Sequence, residues 1–437
     1  MSKIFKIVLM PLFMALFGLG AKATDDNAHN AFSPYSIFGV GNIVKQGSAY
    51  NRSMGGVGIA SRNKGYINFL NPAAVASRDT LSFMADISVN LNGTSFSQSG
   101  RKTFNNNFNI SSIAFSFPIY RKSAFLVGIT PFSDVAFDFS SREKNALLAE
   151  TNIITRAAHG DGGIYQIMGG AGLTLGKWSL GAQALYYFGK IDKKYTYSFT
   201  SSSSNSLYTG YTMNLNGVSA KLGVQYETTL SNGLTLTAGV THRFPTRLHG
   251  EVRDYQYAVM SSVTDTLRND TLSLAASKVK LASETGIGIS IRKGDKWMVE
   301  VDYLFSSWKN TGIGKAAGFA NGNSNTVFTP SVSHSIRAGV EYTPNKNDIR
   351  YYLRRCAYRA GVYFDKAYYK AGGHSVNTMG LTIGMTLPIF RLNNGLTLGL
   401  DLGQRGTTSD GLVRERYVTF SVGFNIHDIW FKKPQYE

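Results

Sequence analysis

Residues 81–91 read Leu-Ser-Phe-Met-Ala-Asp-Ile-Ser-Val-Asn-Leu, and residues 417–424 read Tyr-Val-Thr-Phe-Ser-Val-Gly-Phe. In an extended chain, successive side chains point to opposite faces. The first stretch therefore puts its apolar residues largely on one side and Ser82, Asp86, Ser88 and Asn90 on the other, with Met84 the exception. The second aligns Val418, Phe420, Val422 and Phe424. Each segment has one side that meets an apolar medium. The same period predicts strands over 80–91, 109–119, 122–138, 161–174, 177–190, 208–226, 232–245, 277–292, 295–306, 333–345, 354–364, 377–389, 394–405 and 414–426, about fourteen in all.

What separates these strands decides the fold class. Tyr120-Arg121, Leu175-Gly176, Glu227 to Ser231, Lys293-Gly294 and Arg391 to Asn393 are tight connections. They alternate with long polar gaps at 92–108, 139–160, 191–207, 246–276, 307–332 and 365–376. A soluble sandwich has no reason for that alternation. An outer-membrane barrel has short periplasmic turns and longer extracellular loops, and its closed wall leaves no unpaired edge in lipid. The expectation is an all-β transmembrane antiparallel barrel of about 14 strands in the outer membrane of a Gram-negative bacterium, with both termini periplasmic.

Composition agrees with this reading. The 437 residues carry 16% charged side chains, below the roughly 25% of soluble domains, yet have a net charge of +18 and 13% aromatics. The amino end is basic through Lys3 and Lys6, then uncharged from Ile7 to Leu19, then small at Gly20-Ala21-Lys22-Ala23. This pattern predicts a signal peptide over 1–23. The apolar run is 13 residues long, short of the roughly 20 that cross a bilayer as helix. The remaining divisions are an amino-terminal hatch over 24–78, a barrel over 79–426 and a periplasmic tail over 427–437. In the tail, Trp430 and Phe431 beside Lys432 and Lys433 suit interface anchors or an assembly signal.

Residues 29–78 do not read as wall. Gly39, Gly41, Gly55, Gly56, Gly58 and Gly65 permit turns and close backbone approach, while Phe38, Met54, Ile59, Ile67, Phe69 and Leu70 supply a small apolar surface. Such a segment folds only against something else. A plug in the barrel lumen is the favoured placement, and a periplasmic arm is the alternative. The glycines do not form a phosphate cradle, because no strand and Gly-opened helix frame them.

The run Arg52-Ser53-Met54-Gly55-Gly56-Val57-Gly58-Ile59-Ala60, followed by Asn71-Pro72-Ala73-Ala74, resembles the amino-terminal hatch of the long-chain fatty acid transporter (FadL) and outer-membrane protein transport family. The carboxyl end, LVRERYVTFSVGFNIHDIWFKKPQYE, is similar to the ending of related barrels of the Bacteroidota. The resemblance implies a fourteen-stranded barrel with an internal hatch, through which hydrophobic compounds pass without an energy source. It makes Gly55, Gly56, Gly58, Asn71, Pro72 and Ala73 the candidate hatch and gate residues. It also points to a kinked third strand, with a lateral opening at Pro131 and Phe132. Pro131 has no amide to donate to a ladder, which fits a bend, bulge or gap.

Two features depart from the transporter pattern. The long gaps are rich in Ser and Asn, as at Ser201 to Ser206, and the chain continues past the last predicted strand to Glu437. Two functions follow. The favoured one is passive transport of small, fatty-acid-like hydrophobic molecules past the hatch. The other is a non-transporting barrel subunit or scaffold of an outer-membrane assembly or secretion complex. Expected partners are outer-membrane lipids, a hydrophobic small molecule, and other outer-membrane or periplasmic proteins, with no nucleic acid. No nucleophile elbow marks a hydrolase, the seven histidines have no metal-ligand spacing, and neither an enzyme activity nor a cofactor is expected.

Overall fold

The computed structural model describes residues 33–78, 82–120, 122–144, 153–199, 206–260, 263–320, 328–389 and 394–429. The wall is a closed 14-strand antiparallel β-barrel. Numbered along the wall, its first seven strands are β1 (Ser82–Gln98), β2 (Arg101–Tyr120), β3 (Ser123–Asp134, resuming at Phe137–Lys144), β4 (Ile153–Leu175), β5 (Trp178–Phe199), β6 (Ser206–Thr229) and β7 (Thr235–Arg243, resuming at His249–Met260). The remainder are β8 (Val263–Ser273, resuming at Glu284–Lys293), β9 (Trp297–Ser307), β10 (Phe328–Pro330 and Val332–Tyr342), β11 (Ala357–Ala371), β12 (His374–Pro388), β13 (Gly395–Arg405) and β14 (Arg414–Ile429). Closure is made by β1 against β14, from Ser82 opposite Ile429 to Ser97 opposite Arg414. Backbone groups that would face lipid at a sheet edge are paired there instead.

The period-two reading survives as an inside and an outside. Ile87, Ile167, Leu180, Ile289, Val301, Leu381 and Val418 are exposed on the outer face, while Asp86, Ser88, Ser290, Glu300 and Thr382 are buried on the inner one. Tyr186 and Tyr187 show the rule in adjacent residues: Tyr186 is exposed and Tyr187 is fully buried. Phe132, Tyr363 and Tyr368 are likewise buried, so these aromatics pack inside instead of forming a girdle at the lipid headgroups.

The long gaps between strands are largely not loops. Residues 92–108 are a continuing hairpin turned by Ser99 and Gly100, both with positive φ (46° and 78°), which matches the twist of the flanking strands. Residues 249–260 and 263–273 pair with each other, Glu251 opposite Ser273, and residues 365–376 form a further hairpin, turned by Gly372 and Gly373. Polar Ser, Thr and Asn residues are compatible with a strand once a neighbour supplies the ladder. The pattern had marked where the apolar band stops, not where the strand stops. The last strand likewise runs to Ile429, past the expected end at 426, with His427 opposite Met84.

The contacts of residues 33–78 reach wall strands around the ring. The Ala49 amide donates to Ser88 of β1 at 3.1 Å, and the two-residue strand Asn42–Ile43 pairs with Asp134 and Ser133 of β3. A methyl group added at Gly172 of β4 would sit 2.7 Å from the Pro72 carbonyl, and one at Gly423 of β14 would sit 2.5 Å from the Ala49 Cβ. Gly239, Gly339, Gly361 and Gly384 make equally close approaches to Ile59, Met54, Gly55 and Ser53. Wall glycines are therefore the sockets in which the segment sits.

At the end of the barrel where the hairpins are long, the lumen is covered. Tyr35, Ile37, Phe38 and Val40 pack with Leu248, Val279, Ile313, Phe319 and Phe328 in one buried cluster. Lys193, only 1% exposed, donates from Nζ to the carbonyls of Ile37 (2.9 Å), Gly39 (3.2 Å) and Gly318 (2.9 Å). One buried cation thus ties the amino-terminal segment to the 308–320 connection.

Candidate functional site

The six candidate hatch residues fall into two contact groups. Gly55 and Gly56 have φ of +73° and +84°, a region in which a side chain is strained. The Gly55 amide donates to Thr382 Oγ1 at 2.7 Å. Gly58 begins a fastening of a different kind. Its amide and that of Ile59 donate to Asp302 Oδ2 at 2.7 and 3.0 Å, and those of Ala60 and Ser61 donate to Glu300 Oε1 at 2.8 and 3.0 Å. Four consecutive amides are held by two carboxyl groups on the inner face of β9. Glu300 and Asp302 are 0% and 1% exposed, so no solvent competes for these bonds.

Asn71, Pro72 and Ala73 form the second group, at the start of the short helical turn Pro72–Ser77. Asn71 caps that turn, its Oδ1 accepting from the Ala73 amide at 3.0 Å, while its Nδ2 donates to the Ile59 carbonyl at 2.7 Å. The cap thus ties both groups together, and Gln225 of β6 adds a bond to the same carbonyl at 2.8 Å. Pro72 lacks an amide, which is harmless at the first position of a helical turn.

Pro131 and Phe132 sit where the wall ladder changes partner. β2 and β3 pair from Tyr120–Ser123 up to Ile113–Ile129 and no further among the described residues. Past that point β3 pairs, along the edge that β2 has left, with Asn42 and Ile43, and its register against β4 shifts between Pro131 and Ser133. Gln46 Nε2 donates to the Pro131 carbonyl at 2.9 Å and the Val44 amide to the Phe132 carbonyl at 3.0 Å. The Phe132 ring points inward, 5.0 Å from Tyr187 in an edge-on arrangement and under the Arg243 guanidinium.

A cavity of about 300 Å³ lies beside this interruption. Asn90 and Asn109 face each other across β1 and β2, as do Asn92 and Asn107, and all four line it. Lys45, Arg52, Asp134, Asp401, Arg405 and Glu415 contribute charge. Lys45 bonds Asp401 Oδ2 at 3.0 Å and lies 3.1 Å from the centre of the Tyr363 ring. Burial pulls the pKa of Lys45 below the ordinary lysine value, with the Asp401 carboxylate opposing. Burial also brings Arg52 down to about 10, against the pull of Asp401 and Asp134. Ile43, Val44, Ile110, Leu304, Phe305 and Trp308 line it as well, so the cavity mixes ions and amides with apolar and aromatic side chains.

Sequence reasoning located the glycines and Asn71-Pro72-Ala73 but missed Glu300 and Asp302. A signal was available: Glu300-Val301-Asp302 places two acids on the inner face of one wall strand, a costly arrangement without a partner. Trp430 and Phe431 lie outside the described residues.

Comparisons with known proteins give the fold a context. The Pseudomonas putida toluene transporter TodX superposes with a TM-score of 0.57 at 12% identity, over 89% of this chain and 100% of that one. The CymD monoaromatic hydrocarbon channel gives 0.55 at 14% identity, over 89% and 98%. A Pseudomonas aeruginosa FadL homologue gives 0.55 at 10% identity, over 88% and 99%. Identities this low speak for the fold alone, and the fold is the FadL type that the hatch motif implied. A search of curated proteins returns no match. The family model BamG matches residues 1–437, and the chain belongs to the BamG family.

Proposed function

We propose that this protein is a closed barrel subunit of a multi-protein assembly complex in the outer membrane of a Gram-negative bacterium, with residues 24–78 as its fixed plug and its short turns in the periplasm. One observation carries the reading: the plug is fastened by four amides to Glu300 and Asp302 and by wall glycines around the ring. Opening a path would leave those buried amides and carboxyls without partners, at roughly 1–3 kcal/mol each. Membership of the BamG family supports association with other proteins. Native purification in mild detergent followed by mass spectrometry should yield reproducible stoichiometric partners. A solitary barrel carrying a lipid-like molecule would reject this reading.

A second reading is passive movement of small, fatty-acid-like molecules past Gly55, Gly56, Gly58 and Asn71-Pro72-Ala73, with lateral exit beside Pro131 and Phe132. It is favoured by the β2–β3 ladder ending at Ile113–Ile129 and by a fold shared with a toluene transporter. Uptake of labelled toluene and oleate by a deletion strain tests it. Uptake equal to that of the parent would reject it.

A further inference from the structure

At the short-turn end, a second cavity of about 650 Å³ opens beneath the amino-terminal segment. Its wall residues Thr235, Arg292, Met298, Glu341 and Thr386 all lie on the inward-facing parity of their strands, so it is a recess in the mouth of the barrel and not a groove on the lipid side. Five cations line it, Arg62, Lys64, Arg292, Lys346 and Arg355, against two carboxylates, Asp295 and Glu341.

The carboxylates are already engaged. Glu341 accepts from Arg359 Nε at 2.7 Å, and that guanidinium lies over the Tyr50 and Tyr66 rings. Asp295 pairs with Lys346 at 3.3 Å. Arg62 and Arg292 both reach Glu227 Oε2, at 3.6 and 3.1 Å, so two cations share one acid. Arg355 has no carboxylate partner among the described residues. Among the described residues the lining therefore holds more cationic than anionic side chains, and low-dielectric walls focus that positive bias on the opening.

We propose that this recess receives an acidic polypeptide segment of a periplasmic partner, an inference that rests on the subunit reading above. Anionic lipid headgroups share the charge but not the geometry. The strands separate the recess from the bilayer, and a headgroup could enter only by drawing its acyl chains into a polar, charged cavity. An extended peptide with clustered Asp and Glu has no such tether. It could also use the Asn347 and Asn394 side chains and the Tyr66 and Trp297 rings that line the same space.

The test uses the full-length protein in detergent and a fluorescein-labelled octapeptide of alternating Asp and Glu, followed by anisotropy. Saturable binding is expected, weakened roughly tenfold by Lys346→Glu with Arg355→Glu and by raising the salt. Lys122→Glu with Lys177→Glu, on turns at the same end but outside the recess, should leave binding within about twofold. Heat-modifiable migration confirms that each variant is folded. Absence of saturable binding, equal loss in both double variants, or displacement of the peptide by dihexanoyl phosphatidylglycerol below its micelle concentration would each overturn the proposal. Native purification of the recess variant separates the two levels. Loss of an otherwise stoichiometric partner supports the recess as its dock, and retention of every partner overturns the dock while leaving the subunit reading intact.

Discussion

Replacing Asp302 by Ala strips two buried amides, Gly58 and Ile59, of their shared acceptor. Each orphaned amide costs roughly 1–3 kcal/mol, so two cost roughly 2–6. Water entering the space left by the carboxyl group would solvate part of the loss and favours about 3 kcal/mol. At 1.36 kcal/mol per decade that is about a hundredfold. The observable is hydrogen exchange at residues 58–61, read by mass spectrometry on the detergent-solubilised protein, because protection reports local opening separately from global unfolding. Exchange there should accelerate by about two decades while the wall ladder, for instance 165–173 of β4, stays protected. Asp302→Asn keeps one oxygen acceptor in place and should recover most of the protection. Glu300→Ala should act similarly at Ala60 and Ser61, and the double variant should exceed either alone. Unchanged protection in Asp302→Ala would refute the argument that these carboxyl groups hold the segment.

Ser53→Cys with Gly399→Cys, in a Cys356→Ser background, should form a disulfide when dissolved oxygen takes up the two electrons, since a Cβ at Gly399 would lie 3.3 Å from that of Ser53, near the roughly 3.5–4.5 Å a disulfide requires. Reduced thiols in the assembled protein would show that the segment is not seated there. Gly361→Val drives a branched side chain into the Gly55 backbone and should reduce the amount of heat-modifiable barrel in the membrane by at least half, measured against Gly169→Val, whose added Cβ meets only the Phe125 ring edge at 3.9 Å. An epitope at Thr264, on the exposed hairpin of β7 and β8, should be labelled on intact cells; labelling only after permeabilisation would invert the topology. Replacing Trp430 and Phe431 with Ala should lower assembled barrel severalfold by immunoblot of outer membranes, and normal abundance with loss of an associated protein would make the tail a docking element.

The sequence by itself determined the wall. Alternation in segments such as 81–91 and 417–424, together with the spacing of tight turns, specifies strand number, order and closure, because side-chain period and turn length are local properties. It also marked Gly55, Gly56 and Gly58 as backbone that must approach something closely. What they approach was decided only by tertiary structure. Gly58 and Asp302 are 244 positions apart, and neither residue carries a local sign of the other. The inward placement of Tyr187, Tyr363 and Phe132 depended on strand parity that bulges and kinks reset, as at Pro131. The hairpin at 92–108 and the paired segments 249–260 and 263–273 were hidden for a related reason: above the apolar band the outward face turns polar, so the hydrophobic alternation fades although Phe96 and Val252 stay buried, and the neighbouring ladder keeps the chain extended. The basic recess came last, because Arg62, Arg292, Lys346 and Arg355 belong to one site only after the barrel closes and brings three distant segments to the same mouth.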